Sequence, residues 1–259
     1  MKKNIVLTCD IGNSCIDFGC FREGHLVASS ETPTSRISKN KIQDICDAVE
    51  NLINKQAGSV KAIAICSVVP QKTPLVVQAL SRYVDKKVLV AGKNLTIPIT
   101  NLYHKPREVG QDRLVNAIGC KNLYGAPAII ADIGTALTID ILTKRGEYAG
   151  GAIFPGPSIS AQALFQKTAL LPMVKPEKPQ RLIGKETVTS IQSGLYYGTA
   201  DMIAGMIARI KTACPSLKTA HLIATGGFAV VLKKHLPQGM HLDQHLTLKS
   251  LHILANQAT

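Results

Sequence analysis

A short phrase that joins a carboxylate to a glycine occurs twice, as DIGNS at residues 10–14 and as DIGTA at residues 132–136. An apolar run precedes each phrase and strand-like sequence follows it, so the pattern predicts strand, turn, strand. A carboxylate at the end of a buried strand can hold a cation near a phosphate, and glycine lets the backbone approach that phosphate closely. Turn N–H groups and hydroxyls can bind the phosphate oxygens. The hydroxyls in question belong to Ser14, Thr135 and Thr138.

The same two phrases could also be tight turns capped by Asp. A single occurrence would favour that interpretation, whereas the repeat favours phosphate binding. The duplication predicts two related halves that face each other across a nucleotide cleft.

Three further motifs contain glycine. Gly110-Gln111-Asp112-Arg113 precedes an apolar helical run, so backbone donors of a helix N-terminus lie there. Asp112 could accept a proton from an alcohol, and Arg113 could pair with a phosphate or carboxylate. A helix cap with a local ion pair explains these residues equally well. The glycine pairs of residues 150–156 (GGAIFPG) and 224–227 (ATGG) allow close approach of a ligand or simply form sharp turns.

Composition narrows the class of protein. The chain has 259 residues, 46% of them hydrophobic and 18% charged, which is typical of a folded protein with a core. No apolar stretch approaches the ~20 residues that span a membrane, and the apolar run before Asp10 is too short for a signal peptide. The seven cysteines form no CxxC pair. We therefore expect a cytoplasmic protein with reduced thiols and no structural zinc.

The formal charge of +13 is the one feature that could indicate nucleic-acid binding. The basic residues are dispersed, however, and the chain has no Trp and only 4% aromatic residues. We interpret the charge as a solubility trait that also assists the capture of anions, and nucleic-acid binding is not favoured.

Strands that alternate with helices predict an α/β fold with mixed sheets flanked by helices. Two three-strand meanders are predicted, within residues 5–30 and 128–153. A loop is predicted over 171–180, and a domain boundary divides the chain into 1–116 and 117–259. Helices are predicted over 39–55, 75–83, 158–168, 190–212 and 228–235. Further strands are predicted over 62–69, 87–90 and 221–225.

Taken in order, the motifs resemble one family over nearly the whole chain. DIGNS, Tyr103 seven residues before GQDR, DIGTALTID, GGAIFPG and ATGG resemble the type III pantothenate kinases, within the superfamily of acetate kinase, sugar kinases and actin. The resemblance implies two ribonuclease H-like domains with an ATP cleft between them. It also implies transfer of the γ-phosphate of ATP to the 4′-hydroxyl of pantothenate, with Mg2+, a monovalent cation (K+ or NH4+) and a homodimer.

The resemblance further implies a role for individual residues. Asp132 matches a position that binds the monovalent cation, and Asp112 matches the proton acceptor. The ATP-binding positions are Asp10, Ile11, Gly12, Asn13, Ser14, Cys15, Ile16, Asp17 and Thr135. The pantothenate-binding positions are Tyr103, Gly110, Gln111, Asp112, Arg113 and Thr187. Two residues depart from the family pattern, because Gln111 stands where a small residue is usual and Pro157 where Leu is common.

Two other functions remain open at this point. Another small-molecule kinase or phosphatase of the superfamily is one, although Tyr103 and the GQDR segment argue against it. The other is a non-catalytic regulator on the same scaffold, because the family resembles a bacterial accessory factor for transcription. A degenerate binding protein would most simply lack Asp10, Asp112 or Asp132, and all three are present.

Overall fold

The computed structural model of the chain describes residues 3–37, 43–54 and 58–258. These residues form two units, each with its own sheet. Unit 1 contains the described part of residues 1–99 together with 105–119 and 246–258, and unit 2 contains 100–104 and 120–245. Helix α3 therefore begins in unit 1 and ends in unit 2.

The sheet of unit 1 has five strands in the order β3-β2-β1-β4-β5. β1 pairs antiparallel with β2 and β2 antiparallel with β3, while β4 and β5 continue the sheet in parallel. The strands are β1 (Lys3–Ile11), β2 (Cys15–Arg22), β3 (His25–Pro33), β4 (Gly58–Ser67) and β5 (Leu89–Val90). The helices of this unit are α1 (Gln43–Asn54), α2 (Thr73–Leu80), α3 (Gln111–Leu123) and α7 (Leu246–Ala258).

Both faces of this sheet are covered, which explains the nearly continuous apolar run of β1. Alternate residues of a strand point to opposite faces. Ile5, Leu7 and Cys9 join the core that includes α1 and α2. Val6 joins the other core, with residues of α3 and α7. Asp10 has the same parity as Val6, so it lies on the face that α3 and α7 cover.

The sheet of unit 2 repeats the same arrangement, in the order β8-β7-β6-β9-β10. β6 is antiparallel to β7 and β7 to β8, whereas β9 and β10 are parallel to β6. The strands are β6 (Ala128–Ile133), β7 (Ala136–Leu142), β8 (Tyr148–Pro155), β9 (His221–Thr225) and β10 (Met240–Leu242). The helices are α4 (Pro157–Lys167), α5 (Thr187–Ala213) and α6 (Gly227–Leu232).

One face of this second sheet is apolar and the other carries polar groups. Ile129, Ala131 and Ile133 pack with residues of α5 and α6 in the core of unit 2. Asp132 points the other way, and it pairs in register with Thr138 of β7 and Thr225 of β9. The identical strand order and pairing in both units confirm the predicted duplication.

Most predicted elements are found. The helix predicted over 39–55 is Gln43–Asn54, and the flanking positions 39–42 and 55 lie outside the described residues. No element was predicted after His235, whereas the structure has β10 and α7 there. The predicted division at residue 116 also differs from the two units, because α7 packs on β1 and β4 and belongs to unit 1. Among the described helices, none is both long and apolar enough to cross a membrane.

Candidate active site

The first acidic-glycine phrase forms the tip of the β1–β2 hairpin. β1 ends at Ile11 and β2 begins at Cys15, so the turn is Gly12-Asn13-Ser14. The Gly12 N–H donates to the Cys15 carbonyl at 2.9 Å, and the Thr34 hydroxyl donates to the Gly12 carbonyl at 2.7 Å. Asn13 and Ser14 are exposed, so their polar groups are accessible at the end of a fixed hairpin.

Two of the predicted ATP-binding residues in this segment have no side chain available to a ligand. Ile11 and Ile16 are fully buried in the core of unit 1. Only the backbone atoms of these two residues can contact a nucleotide. The side chains that can take part are those of Asp10, Asn13 and Ser14, together with the half-buried Asp17.

Three carboxylates lie in a row across the first three strands. Asp10 of β1 is directly opposite Asp17 of β2, and Asp17 is directly opposite Glu31 of β3. Directly opposed residues share a face of the sheet. Burial, and then the Glu31 charge, raise the pKa of the Asp17 carboxyl from 3.8 to about 6. Burial, and then a hydrogen bond to Glu31, raise the pKa of the Cys15 thiol to about 12.

Asp112 comes to the same side of unit 1 from the first turn of α3. Burial raises the pKa of the Cys66 thiol, and the charges of Asp10 and then Asp112 raise it further. Cys66 is in register with Asp10 on the neighbouring strand β4. Two carboxylates that are far apart in sequence therefore lie near one thiol, within one unit.

The Gly110–Arg113 segment folds tightly around its own helix start. Asp112 Oδ1 accepts a hydrogen bond from the Arg113 N–H at 2.8 Å, within the first turn of α3, where the helix dipole interacts favourably with a carboxylate. A Cβ on Gly110 would overlap Asp112 Oδ1, which explains the glycine. The Gln111 side chain packs against Gly92, so the residue that departs from the family pattern contacts the backbone of its own unit. Arg113 is buried, with 7% of its surface exposed.

The second acidic-glycine phrase forms the β6–β7 hairpin of unit 2, with one residue fewer in its turn. β6 ends at Ile133 and β7 begins at Ala136, which leaves Gly134 and Thr135. The Gly156 N–H donates to the Thr135 carbonyl at 3.0 Å. A side chain at Gly156 would overlap the carbonyls of Gly134 and Thr135, so this glycine lets β8 close over the turn.

The ATGG motif lies against the carboxylate of this hairpin. Gly226 has φ of +89°, and a Cβ there would lie 2.5 Å from Asp132 Oδ1 and 2.7 Å from the Ile133 backbone. Gly227 has no atom within 4 Å of such a position. The positive φ and the Ile133 backbone therefore require glycine at position 226, and no such contact requires it at position 227.

Tyr103 and Thr187 are the remaining predicted site residues, both in unit 2. Tyr103 lies against Gly150, where a Cβ would be 3.2 Å from its ring. Gly150, within β8, thus leaves room for a tyrosine ring. Thr187 is the first residue of α5 and lines a cavity of about 750 Å³ together with Leu164, Leu171 and Lys185.

The sequence analysis did not identify three residues that lie next to the residues described above. Glu31 stands beside Asp17, and Asp140 and Tyr148 form a buried pair. Asp140 had one detectable signal, because a carboxylate in the middle of the apolar strand ALTIDIL requires a partner. Glu31 had none, since only strand register places it opposite Asp17.

In the described part of the chain, no group of three or more His, Cys, Asp or Glu side chains is arranged to hold a metal ion by itself. Mg2+ that arrives with a nucleotide needs only one or two protein carboxylates, because phosphate oxygens and waters are its other ligands. Asp10 and Asp17 are carboxylates that face each other on adjacent strands.

Known proteins with similar sequences share one family description. The family model described as type III pantothenate kinase matches residues 6–209. A type III pantothenate kinase of Persephonella marina is 38% identical over 253 residues, covering 96% of this chain and 97% of that protein. The corresponding protein of Finegoldia magna is 37% identical over 255 residues, with 97% of each chain covered.

A solved structure with the same fold is a ROK family glucokinase from Streptomyces griseus in complex with glucose and AMPPNP. It superposes with a TM-score of 0.54 at 15% identity, covering 98% of this chain and 99% of that one. The fold is thus that of the sugar-kinase and actin-like proteins, with two ribonuclease H-like domains. Since the family match covers most of the residues and the identity exceeds 30% over nearly the full length, the chain belongs to the type III pantothenate kinase family.

Proposed function

We propose that the chain transfers the γ-phosphate of ATP to the 4′-hydroxyl of pantothenate, the first step of coenzyme A biosynthesis. The observation that carries the proposal is membership of the family over residues 6–209. The approach of Asp10 and Asp112 to Cys66 supports it, because phosphoryl transfer needs a phosphate-binding hairpin and an acceptor-binding group close together.

The Asp10 hairpin is assigned to the phosphates of ATP. Its N–H groups and the Ser14 hydroxyl can donate to phosphate oxygens, and Mg2+ offsets the repulsion between those oxygens and the carboxylates of Asp10 and Asp17. Mg2+ supplies charge neutralisation when it is bound with the nucleotide. The residues of the chain fix where that charge lies.

The second hairpin is assigned to the monovalent cation and to a further ATP contact through Thr135. Asp132 presents a carboxylate on the polar face of its sheet, beside Thr138 and Thr225. Carboxylate and hydroxyl oxygens can coordinate K+ and can accept hydrogen bonds from NH4+. Gly226 leaves room for Asp132 Oδ1, since a Cβ there would lie 2.5 Å from that oxygen.

Asp112 is assigned as the proton acceptor for the hydroxyl of pantothenate. Its carboxylate is held at the start of α3 by a hydrogen bond from the Arg113 N–H. Tyr103, Gly110, Gln111, Arg113 and Thr187 are the proposed pantothenate contacts. Arg113 is a suitable partner for the carboxylate of this substrate, because guanidinium binds carboxylate in a bidentate manner.

A homodimer is part of the proposal. Unit 2 exposes a group of large apolar side chains around α4 and the segment that follows it, which a monomer would leave in water. They are Phe165, Leu170, Met173, Leu182 and Ile183, with exposed fractions from 48% to 90%.

A cytoplasmic location is also proposed, because all seven cysteines lie among the described residues as free thiols.

The proposal is tested by incubating purified protein with MgATP and pantothenate in K+ buffer and in Na+ buffer. We expect 4′-phosphopantothenate by mass spectrometry, with faster turnover in K+. Asp112→Asn should reduce kcat by about 10²–10⁴ without unfolding the protein, whereas Asp201→Asn, at an exposed position of α5, should not. Near-wild-type turnover in Asp112→Asn would reject Asp112 as the base.

Two outcomes would indicate a different function. Phosphorylation of another alcohol in a substrate panel, without product from pantothenate, would indicate a different kinase of the same fold. No turnover with any substrate, from folded protein at millimolar ATP, would indicate a non-catalytic protein.

A further inference from the structure

A buried carboxylate on β7 has no role in the assignments above. Asp140 is 1% exposed, and both of its oxygens accept hydrogen bonds. Oδ1 accepts from the Tyr148 hydroxyl at 2.8 Å and Oδ2 accepts from the Thr138 hydroxyl at 2.8 Å. Burying a carboxylate costs free energy unless it is hydrogen-bonded. The two hydrogen bonds therefore stabilise the buried Asp140 carboxylate, and they also fix the orientation of the Tyr148 and Thr138 hydroxyls that donate them.

Tyr148 in turn holds the segment that carries Tyr103. The Tyr148 N–H donates to the Thr100 carbonyl at 2.8 Å, and the Leu102 N–H donates to the Tyr148 carbonyl at 2.9 Å. The segment thus adds to β8 as a short piece of strand. Within it, the Tyr103 N–H donates to Asn101 Oδ1 at 3.0 Å.

The two tyrosine rings are also close. Their centroids are 6.4 Å apart, at an interplanar angle of 38°, which is within the range of favourable aromatic pairs. Tyr148 is fully buried, whereas Tyr103 is only half-buried. Gly150, with φ of +101°, leaves the space into which the Tyr103 ring fits. The Tyr103 ring therefore lies between a fixed tyrosine and a glycine, with part of its surface accessible.

We propose that Asp140 is a positioning residue for pantothenate binding, acting through Tyr148 on Tyr103. The inference rests on the proposed role of Tyr103 as a pantothenate contact. Asp140 fixes the Tyr148 phenol, and Tyr148 fixes both the backbone of residues 100–102 and the Tyr103 ring. Thr138 is opposite Asp132 in register, so the same hydrogen-bonded chain begins beside the proposed cation site.

A purely structural role for Asp140 makes a different prediction. Loss of a core hydrogen bond would then lower stability and reduce the fraction of active enzyme, which lowers kcat without altering either KM. If Asp140 has a positioning role, loss of the hydrogen bond raises the KM for pantothenate and leaves the KM for MgATP unchanged. The two KM values therefore distinguish the roles.

The test begins with steady-state kinetics of Tyr148→Phe, which removes one hydroxyl and keeps the ring. We expect the KM for pantothenate to rise about tenfold, as for loss of a buried hydrogen bond to a carboxylate, and the KM for MgATP to change less than twofold. Asp140→Asn keeps an oxygen that can accept from Tyr148, so it should stay within about threefold of wild type. An unchanged KM for pantothenate in Tyr148→Phe would contradict the inference.

A matched control lies in the same unit. The Tyr124 hydroxyl donates to Asp243 Oδ2 at 2.7 Å, and Asp243 is 4% exposed. Tyr124→Phe therefore removes the same chemical group from the same kind of pair, away from the Tyr103 segment. It should lower thermal stability and leave the KM for pantothenate unchanged. Equal effects of Tyr124→Phe and Tyr148→Phe on this KM would overturn the inference.

Tyr103→Ala separates failure of this inference from failure of the proposed function. It should raise the KM for pantothenate, and Tyr148→Phe should add nothing further in that background. Independent, additive effects would overturn the inference and leave the role of Tyr103 intact. An unchanged KM in Tyr103→Ala would reject the proposed contact, and the inference with it.

Discussion

Replacing Asp17 with Asn should raise the free energy of unfolding at pH 7.5 by about 1–3 kcal/mol. Burial and the facing Glu31 raise the pKa of the Asp17 carboxyl from 3.8 to about 6. A pKa difference of about 2 between the folded and unfolded chain corresponds to about 3 kcal/mol in the free energy of unfolding. Partial exposure of the Asp17 side chain reduces this value. The amide removes the charge and keeps the shape.

The sign of the pH dependence follows from proton binding. Between pH 4 and pH 6 the folded chain holds a proton on Asp17 that the unfolded chain has released, so this contribution to stability falls as the pH rises. Well above pH 6 both states are ionised and the whole penalty is present. The advantage of Asp17→Asn should therefore be largest at pH 7.5, shrink to a small fraction near pH 4 and vanish at lower pH.

Urea unfolding followed by circular dichroism, at intervals from pH 4 to pH 8, measures this difference. Asp85→Asn, at an exposed loop position of the same unit, is the charge-matched control and should give a flat difference. Since Asp17 is also a proposed ATP contact, the stabilised variant should bind MgATP more weakly. Unchanged or lower stability at pH 7.5, or a difference that persists at pH 4, would refute the argument from burial and Glu31.

Three further predictions follow from close contacts and from the proposed metal. Gly226→Ala would place a Cβ 2.5 Å from Asp132 Oδ1, at a residue whose φ is positive. This variant should therefore lose most of the activation by K+ and have a lower melting temperature. Gly227→Ala, where a Cβ has no atom within 4 Å, should show neither effect. Gly119→Ala would overlap the Ser250 side chain of α7 and should destabilise the protein by about 1–3 kcal/mol. A smaller loss of stability from Gly119→Ala in the Ser250→Gly background than in the wild type would identify this overlap as the cause, and an equal loss would exclude it. EDTA should stop phosphorylation reversibly, with activity restored by Mg2+ in an ADP-release assay, and turnover that survives EDTA would contradict a metal requirement.

The sequence determined the local elements and the repeated design. Alternating apolar positions, an acidic-glycine turn and a second copy of both predicted the two meanders, because side-chain periodicity and turn chemistry act over a few residues. Long helices such as α5 were predicted for the same reason. The sequence also indicated which groups could take part in chemistry, since the repeated phrase singles out Asp10 and Asp132 and the family resemblance singles out Asp112.

Only the tertiary structure decided which of those groups meet. Strand register places Glu31 opposite Asp17, and packing of α3 on the first sheet brings Asp112 towards Asp10 and Cys66. Gly226 reaches Asp132 because β9 pairs with β6 across a long connection. The C-terminal helix α7 returns to unit 1 for a similar reason, since its apolar face fits that sheet. These contacts join residues that are far apart along the chain, so a local sequence pattern does not show that the residues lie close together in the fold.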